Sequence, residues 1–149
     1  MASRVIIAVG RLFRRARGYM LFGKRVEIFG PFTVLVPGGV RLGRNVAINH
    51  GVFLNGGCGI EIGDDAVLSA RCMIIDVGLD PSTFGETIAY RNAPIRIGSR
   101  AWIGASAIIL PGVTIGDGAI IGAGSVVTRD VPQGQTWAGN PARALPTRS

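Results

Sequence analysis

The sequence predicts an all-β protein, a parallel β-helix with triangular turns, and a repeat of six residues is the main reason. Between Ile97 and Val131 a large aliphatic residue recurs at every sixth position, at 97, 103, 109, 115, 121 and 127. A helical face repeats about every 3.6 residues and a half-buried strand every two, so neither explains this spacing. Three hexads make one turn, with the aliphatic side chains inside and glycine-containing segments at the corners.

The composition agrees with a single repetitive domain. The chain of 149 residues contains 23 glycines, and 48% of its residues are hydrophobic. These values suit a solenoid with many corners and one continuous core. No apolar run reaches the roughly 18 residues that a membrane span requires, so we expect a cytoplasmic chain. Cys58 and Cys72 each stand four positions after an aliphatic residue, and we expect both to be reduced and buried in the core.

Residues 1–25 form the first predicted segment, a basic amphipathic helix. From about Ser3 to Arg17 the apolar residues fall at helical spacing, and most of the arginines lie on the other side. The helix has two candidate roles, which do not exclude each other. It can cap the open first turn, as solenoids require, or it can make peripheral contact with a membrane surface.

The coil itself is expected over residues 26–131, with about five turns. The repeat begins in a weaker form at Val26, is disturbed by the PGG at 37–39, and becomes regular again from Leu42. Residues 132–149 are expected to form a C-terminal tail.

One long insertion interrupts the repeat. After Ile74 the next inward aliphatic residue is Ile97, far beyond the usual step of six, so residues 77–94 are predicted to leave the coil as a loop. A long insertion in an otherwise regular solenoid is a common place for function.

The formal net charge of +7 suggests an anionic partner. Many of the basic residues lie near the N-terminus, and others are Arg129, Arg143 and Arg148 near the C-terminus. The sequence has no nucleic-acid-binding motif and few aromatic residues between the basic ones. An anionic small ligand therefore explains the C-terminal arginines better than a nucleic acid does.

The hexads and the run SVVTRDVP…AGNPAR, which ends at Arg143, resemble the hexapeptide-repeat acyltransferases. The likeness is to their maltose, galactoside and polysaccharide O-acetyltransferase branch, and it covers roughly residues 26–145. The resemblance implies a left-handed β-helix and a homotrimer. It also implies acetyl-CoA as the donor, and a hydroxyl of a sugar or polysaccharide precursor as the acceptor.

The resemblance places the coenzyme along the later turns. It implies that Ala105 and Ala123 contact CoA through their backbone, and that Thr128, Arg129 and Arg143 meet its nucleotide end. Arginine suits this place because its guanidinium pairs well with phosphate. Trp102 precedes the inward Ile103 and should face outwards, towards the loop, a neighbouring subunit or the ligand.

The catalytic residues match the family less well. The resembling enzymes use a loop histidine as the base, and the two possible alignments put Val77 or Leu79 in its place. The one histidine of the sequence is His50, which follows Asn49, the counterpart of an active-site asparagine. His50 is either a surface or interface residue, or the substitute base, a task that imidazole suits near neutral pH.

Two loop carboxylates are weaker candidates for the base. Asp76 and Asp80 are both near the start of the predicted loop. A carboxylate is a poor base unless burial raises its pKa, and both residues fit a structural role in turns as well.

Two other function classes share this fold. A metal-dependent β-helix hydratase, like the gamma-class carbonic anhydrases, needs three histidines at each subunit interface, and one histidine per chain supplies too few ligands, so we expect no metal. The second class is a non-catalytic β-helix homologue that binds CoA, a glycan or a partner. A turnover assay separates it from an acetyltransferase.

Overall fold

The computed structural model, which describes residues 26–83, 85 and 87–146, is a parallel β-helix with three faces. The first face has seven strands, all parallel except the last: β1 Val26–Ile28, β4 Val46–Ile48, β7 Val67–Leu68, β12 Trp102–Ile103, β15 Ile120–Ile121, β17 Thr136–Gly139 and β18 Ala142–Ala144. The second face has five parallel strands: β2 Thr33–Val34, β5 Phe53–Leu54, β8 Met73–Ile74, β13 Ile108–Ile109 and β16 Val126–Val127. The third face has four: β3 Val40–Leu42, β6 Ile60–Ile62, β11 Ile95–Ile97 and β14 Thr114–Ile115.

Each turn of the coil passes three corners, which we number by the faces that they join. The first corner joins the first and second faces and comprises residues 29–32, 49–52, 69–72, 104–107 and 122–125. The second corner, between the second and third faces, carries the insertion. The third corner leads back to the first face and comprises residues 43–45, 63–66, 98–101, 116–119 and 132–135.

The core is one column of aliphatic side chains, as the repeat predicts. None of the six hexad aliphatics from Ile97 to Val127 is more than 3% exposed. The small or apolar residue four positions after each of them is also buried, including Ser125. Burying one such aliphatic side chain contributes about 1.5–3 kcal/mol, so the column is the main source of stability.

The glycines after the hexad aliphatics are explained by the spacing between turns. A Cβ at Gly98 would lie 2.5 Å from the backbone nitrogen of Asp117 on the next turn, and a Cβ at Gly104 would lie 2.5 Å from the carbonyl oxygen of Ile121. Both distances are far below van der Waals contact. The corners can therefore stack only where this position has no side chain.

Residues 77–94 leave the coil at the second corner, as predicted. Within them β9 Val77–Leu79 pairs antiparallel with β10 Tyr90–Asn92, and this two-stranded sheet is separate from the three faces. The backbone N–H of Ala93 donates to the carbonyl oxygen of Asp76 at 3.1 Å, which closes the base of the loop.

The structure adds to the sequence prediction at the C-terminal end of the coil. The first face has one more rung than the predicted five turns, since β17, in the expected tail, pairs in parallel with β15. The coil thus makes about six turns. The predicted N-terminal helix, residues 1–25, lies outside the described residues, and the left-handed sense of the coil stays a prediction. In the described part of the chain, no helix is long and apolar enough to cross a membrane.

The prediction for the two cysteines is half right. Cys72 is buried, but Cys58 is exposed. The GGCG segment does not follow the hexad, because the backbone N–H groups of residues 56–59 all turn towards the side chain of Asp76. With its backbone held this way, the side chain of Cys58 lies on the outside.

Candidate functional site

The first corner brings together four of the predicted site residues, three of them in one column. Backbone hydrogen bonds join the turns along this corner. The N–H of Arg71 donates to the carbonyl oxygen of His50 at 2.9 Å, that of Ser106 to the carbonyl oxygen of Ala70 at 2.9 Å, and that of Gly124 to the carbonyl oxygen of Ala105 at 2.8 Å. His50, Ala70, Ala105 and Ala123 therefore occupy the same position on successive turns, with Asn49 beside His50. Adjacent rungs are about 4.8 Å apart, so His50 and Ala105 are separated by roughly 10 Å.

His50 is exposed at this corner and packs over Gly30 on the turn below. A Cβ at Gly30 would lie 2.8 Å from the Cβ of His50, so only glycine leaves room for the histidine there. No hydrogen bond orients the imidazole among residues that the structure describes. The ring is accessible to a ligand but is not held in one orientation.

Asn49 has a structural contact as well as its place beside His50. Its side-chain nitrogen donates to the carbonyl oxygen of Leu68 on the next turn at 2.9 Å. This bond fixes the amide plane and leaves the side-chain oxygen as an acceptor for a ligand.

Two residues of this corner, Ser69 and Arg71, were not assigned to the site from the sequence, and Trp102 of the neighbouring strand β12 contacts the first of them. Trp102 faces outwards as predicted, with 51% of its surface exposed, and its indole N–H donates to the hydroxyl of Ser69 at 2.9 Å. Ser69 belongs to the first corner, between Asn49 below and Gly104 above. Arg71 follows on the same turn. Only the stacking of turns shows that these residues neighbour His50.

The predicted nucleotide-binding residues divide into two places. Thr128 and Arg129 are exposed just after β16, at the end of this strand opposite to Ala123. Arg143 is exposed in β18 and pairs in register with Ala138 of β17. Ala138 stacks on Gly122, where a Cβ would approach the Cβ of Ala138 to 2.7 Å. Arg143 therefore lies beside the upper end of the first corner, and Arg129 lies across the second face.

Asp76 is not placed to act as a base. Its carboxylate is fully buried and accepts four backbone hydrogen bonds. The donors are the N–H groups of Gly56 at 3.0 Å, Gly57 at 3.3 Å, Cys58 at 2.6 Å and Gly59 at 2.6 Å. A carboxylate whose two oxygens are both occupied and shielded from solvent cannot take a proton from a substrate. The weak catalytic assignment of Asp76 is therefore replaced by a structural one.

Asp80 also has a local structural role. Its carboxylate accepts from the hydroxyl of Ser82 at 2.7 Å and from the backbone N–H of Ser82 at 2.9 Å. These bonds hold the pKa of the Asp80 carboxyl below its ordinary value, which makes it a weaker base. In β9, Val77 is half-buried and Leu79 is 51% exposed, so apolar side chains stand at both candidate positions of the family histidine.

The third face is charged and is remote from these residues. Glu61 accepts from Arg41 at 2.6 Å and from Arg96 at 3.4 Å, and these partners, Arg41 first, lower the pKa of its carboxyl. A surface groove of about 500 Å³ runs along this face, and none of the predicted site residues lines it. Over residues 26–83, 85 and 87–146, no group of three His, Cys, Asp or Glu is placed to hold a metal ion.

Two protein-family profiles match segments of the coil. A family profile described as bacterial transferase hexapeptide (six repeats) matches residues 94–129, and one described as hexapeptide repeat of succinyl-transferase matches residues 54–74. The galactoside O-acetyltransferase of Escherichia coli is 34% identical over 110 residues, which are 71% of this chain and 53% of that protein. The chain spans about 61% of the length of the curated relatives that match it at 38% identity.

Two solved structures share most of the fold. The crystal structure of a maltose O-acetyltransferase from Clostridium difficile is 34% identical with a TM-score of 0.73, over 85% of this chain and 70% of that one. A hexapeptide-repeat acetyltransferase from Vibrio cholerae, solved in complex with acetyl-CoA, is 28% identical with a TM-score of 0.79. That match covers 94% of this chain and 79% of the other.

Proposed function

The chain belongs to the hexapeptide-repeat acetyltransferase family, and from this membership we propose that it transfers an acetyl group from acetyl-CoA to a hydroxyl of a sugar or polysaccharide precursor. The observation that carries the proposal is the column on the first corner. This column aligns His50, with Asn49 next to it, with Ala105 and Ala123, the two small residues that the family resemblance assigns to coenzyme binding.

The donor would lie along the upper part of the first corner. Ala105 and Ala123 are exposed and small, so their backbone is open to the pantetheine arm. Arg143 lies beside the upper end of this path, where its guanidinium can bind phosphate, and Thr128 and Arg129 are further candidates across the second face. This direction brings the thioester end towards the turns of Ser69 and His50. The acetyl-CoA complex of the Vibrio relative supports the choice of donor.

The acceptor would bind below the thioester, beside Asn49 and His50. We assign His50 as the general base that removes the proton from the acceptor hydroxyl as its oxygen attacks the thioester carbon. The carbon–sulfur bond then breaks, and the imidazolium returns the proton to the leaving CoA sulfur. The side-chain oxygen of Asn49 would accept a hydrogen bond from another acceptor hydroxyl. The galactoside and maltose O-acetyltransferases among the relatives favour a sugar acceptor.

The alternative is a non-catalytic homologue that binds CoA, a glycan or a partner. Two observations favour it: Val77 and Leu79 stand where the family has its loop histidine, and no described residue orients the imidazole of His50. Binding requires only the first corner and the arginines, whereas catalysis also requires a positioned base.

The assembly that we propose is a homotrimer. The outward side chains in the middle of the first two faces are apolar, and most of those on the third face are charged. On the first face the apolar ones are Ala47, Val67, Trp102 and Ile120, with Glu27 and Thr136 at the two ends; on the second they are Phe53, Met73, Ile108 and Val126, with Thr33 at one end; on the third face Arg41, Glu61 and Arg96 are charged and Thr114 is not. Because interface centres are depleted of charge, the first two faces suit contact between subunits, with the first corner between them.

We keep a cytoplasmic location and peripheral membrane contact through residues 1–25 as predictions.

The test is acetyl transfer from acetyl-CoA to a panel of sugars, with the wild type, His50→Ala and the control Arg100→Ala at the exposed third corner. Loss of a general base usually costs about 10²–10⁴ in rate, so we expect His50→Ala to lower kcat at least about a hundredfold with CoA affinity unchanged. Full activity of His50→Ala would exclude His50 as the base. A wild type that binds CoA but acetylates no acceptor would favour the non-catalytic alternative.

A further inference from the structure

Arg71 has a backbone conformation that arginine rarely adopts. Its φ is +60°, in the left-handed region where a side chain on Cα costs free energy. The equivalent residues on other turns of the first corner are Gly51, Ser106 and Gly124, so glycine or a small residue serves this turn equally well. The geometry of the corner therefore does not explain why an arginine is present.

The guanidinium of Arg71 is available for a ligand. Arg41, Arg44 and Arg96 each contact a carboxylate, at 2.6, 2.9 and 3.4 Å, but no described residue makes an ion pair or hydrogen bond with the side chain of Arg71, which is exposed. The first corner has no Asp or Glu on any of its five turns. The positive charge of Arg71 is therefore not neutralised by any side chain of the first corner.

The stem of the Arg71 side chain packs over the residue that follows His50. A Cβ at Gly51 would lie 3.0 Å from Cγ of Arg71, so the stem of the arginine runs over Gly51, the residue next to His50. The backbones of the two turns are joined here by the bond from Arg71 N–H to the oxygen of His50. The turn of Arg71 thus lies between the turn of the proposed base and that of Ala105, the first position assigned to the donor.

We propose that Arg71 binds an anionic group of the acceptor, a carboxylate or a phosphate, so that the acceptors are acidic sugars rather than neutral ones. This assignment rests on the proposed function, because it names the substrate class of the same site. An arginine suits the task because its planar guanidinium binds both anions through two parallel hydrogen bonds. The bound anion would place a neighbouring hydroxyl of the sugar at His50.

The experiment compares glucuronate and glucose 6-phosphate with glucose, as acceptors and as ligands. Each sugar is assayed for kcat/KM with acetyl-CoA and for binding by calorimetry, using the wild type, Arg71→Asn, Arg71→Lys and Arg100→Asn. Asparagine is chosen because it tolerates a left-handed backbone. Arg100 is a matched control, since it is exposed, has a φ of +56° and lies at the third corner.

We expect the wild type to prefer at least one of the two anionic sugars. Arg71→Asn should weaken binding of that sugar and its kcat/KM by about tenfold to a hundredfold, and leave glucose unaffected. Arg71→Lys should restore part of the effect, and Arg100→Asn should match the wild type. The wild-type preference should also weaken as salt is added. The preferred sugar distinguishes a carboxylate from a phosphate.

Three results would overturn this assignment: equal binding of all three sugars, equal losses in Arg71→Asn and Arg100→Asn, or a loss of CoA affinity alone in Arg71→Asn. The last result would assign Arg71 to the donor. If the wild type acetylates no sugar, the proposed function fails, and calorimetry still decides whether Arg71 binds the anion.

Discussion

Removing the carboxylate of Asp76 should destabilise the fold strongly, because four backbone N–H groups would lose their acceptor at once. A hydrogen bond to a charged group contributes about 1.5–3 kcal/mol, so the two bonds of 2.6 Å alone give at least about 3 kcal/mol. This is a large share of the roughly 5–15 kcal/mol by which a typical domain is stable. We therefore expect Asp76→Ala to lower the free energy of unfolding by at least about 3 kcal/mol.

Asp76→Asn tests the same contacts with almost no change in volume. The amide keeps one acceptor oxygen, but its NH₂ group must face two backbone donors in either orientation. We expect a loss of stability similar to that of Asp76→Ala. We also expect faster proteolysis within residues 77–94, because the backbone oxygen of Asp76 closes the base of the loop and its position depends on the carboxylate contacts. Asp80→Asn is the control, because among the described residues its carboxylate bonds to Ser82 alone, and the change in stability should be about 1 kcal/mol or less.

The assay is urea unfolding of the three variants and the wild type at one protomer concentration, with midpoints and slopes compared. A free energy of unfolding of Asp76→Asn within about 0.5 kcal/mol of the wild-type value would refute the structural role of the Asp76 carboxylate. If an Asp76 variant had the stability of the wild type but transferred no acetyl group, Asp76 would again be a candidate catalytic residue.

Three further predictions concern other parts of the molecule. Burial raises the pKa of the Cys72 thiol to about 12, so at pH 8 it stays protonated, and a thiol reagent should label only Cys58 in the folded protein; mass spectrometry that finds Cys72 modified without unfolding would contradict this. Arg143→Ala should weaken CoA binding by on the order of 1–3 kcal/mol in calorimetry, with Arg100→Ala unchanged, and a wild type that binds no CoA would remove the donor assignment. Sedimentation should give a trimer that Ile120→Glu on the first face disrupts and Arg96→Ala on the third face does not, whereas a wild-type monomer at micromolar concentration would exclude this assembly.

The candidate site could be predicted only in part. Asn49, Ala105 and Ala123 were found through likeness to a family and His50 as the one histidine of the sequence, and the coil shows that they share one corner. Arg71 and Ser69 carry no motif, and they become candidates only because they stack next to His50. Asp76 shows the opposite case, since the loop suggested a catalytic carboxylate and the structure encloses it in backbone hydrogen bonds.

The sequence by itself determined the β-helix, its inward column and the place of the inserted loop. It could do so because the direction of a side chain relative to the axis of the coil is a local property, repeated every six residues and driven by burial of the aliphatic groups. The tertiary structure alone decided which corners stack and how the irregular corner at residues 56–59 folds. Those contacts join residues that are far apart in the chain, and their register depends on satisfying the buried backbone and carboxylate groups, which no local pattern encodes. For this reason Cys58 lies outside the core, and Arg71 lies beside His50.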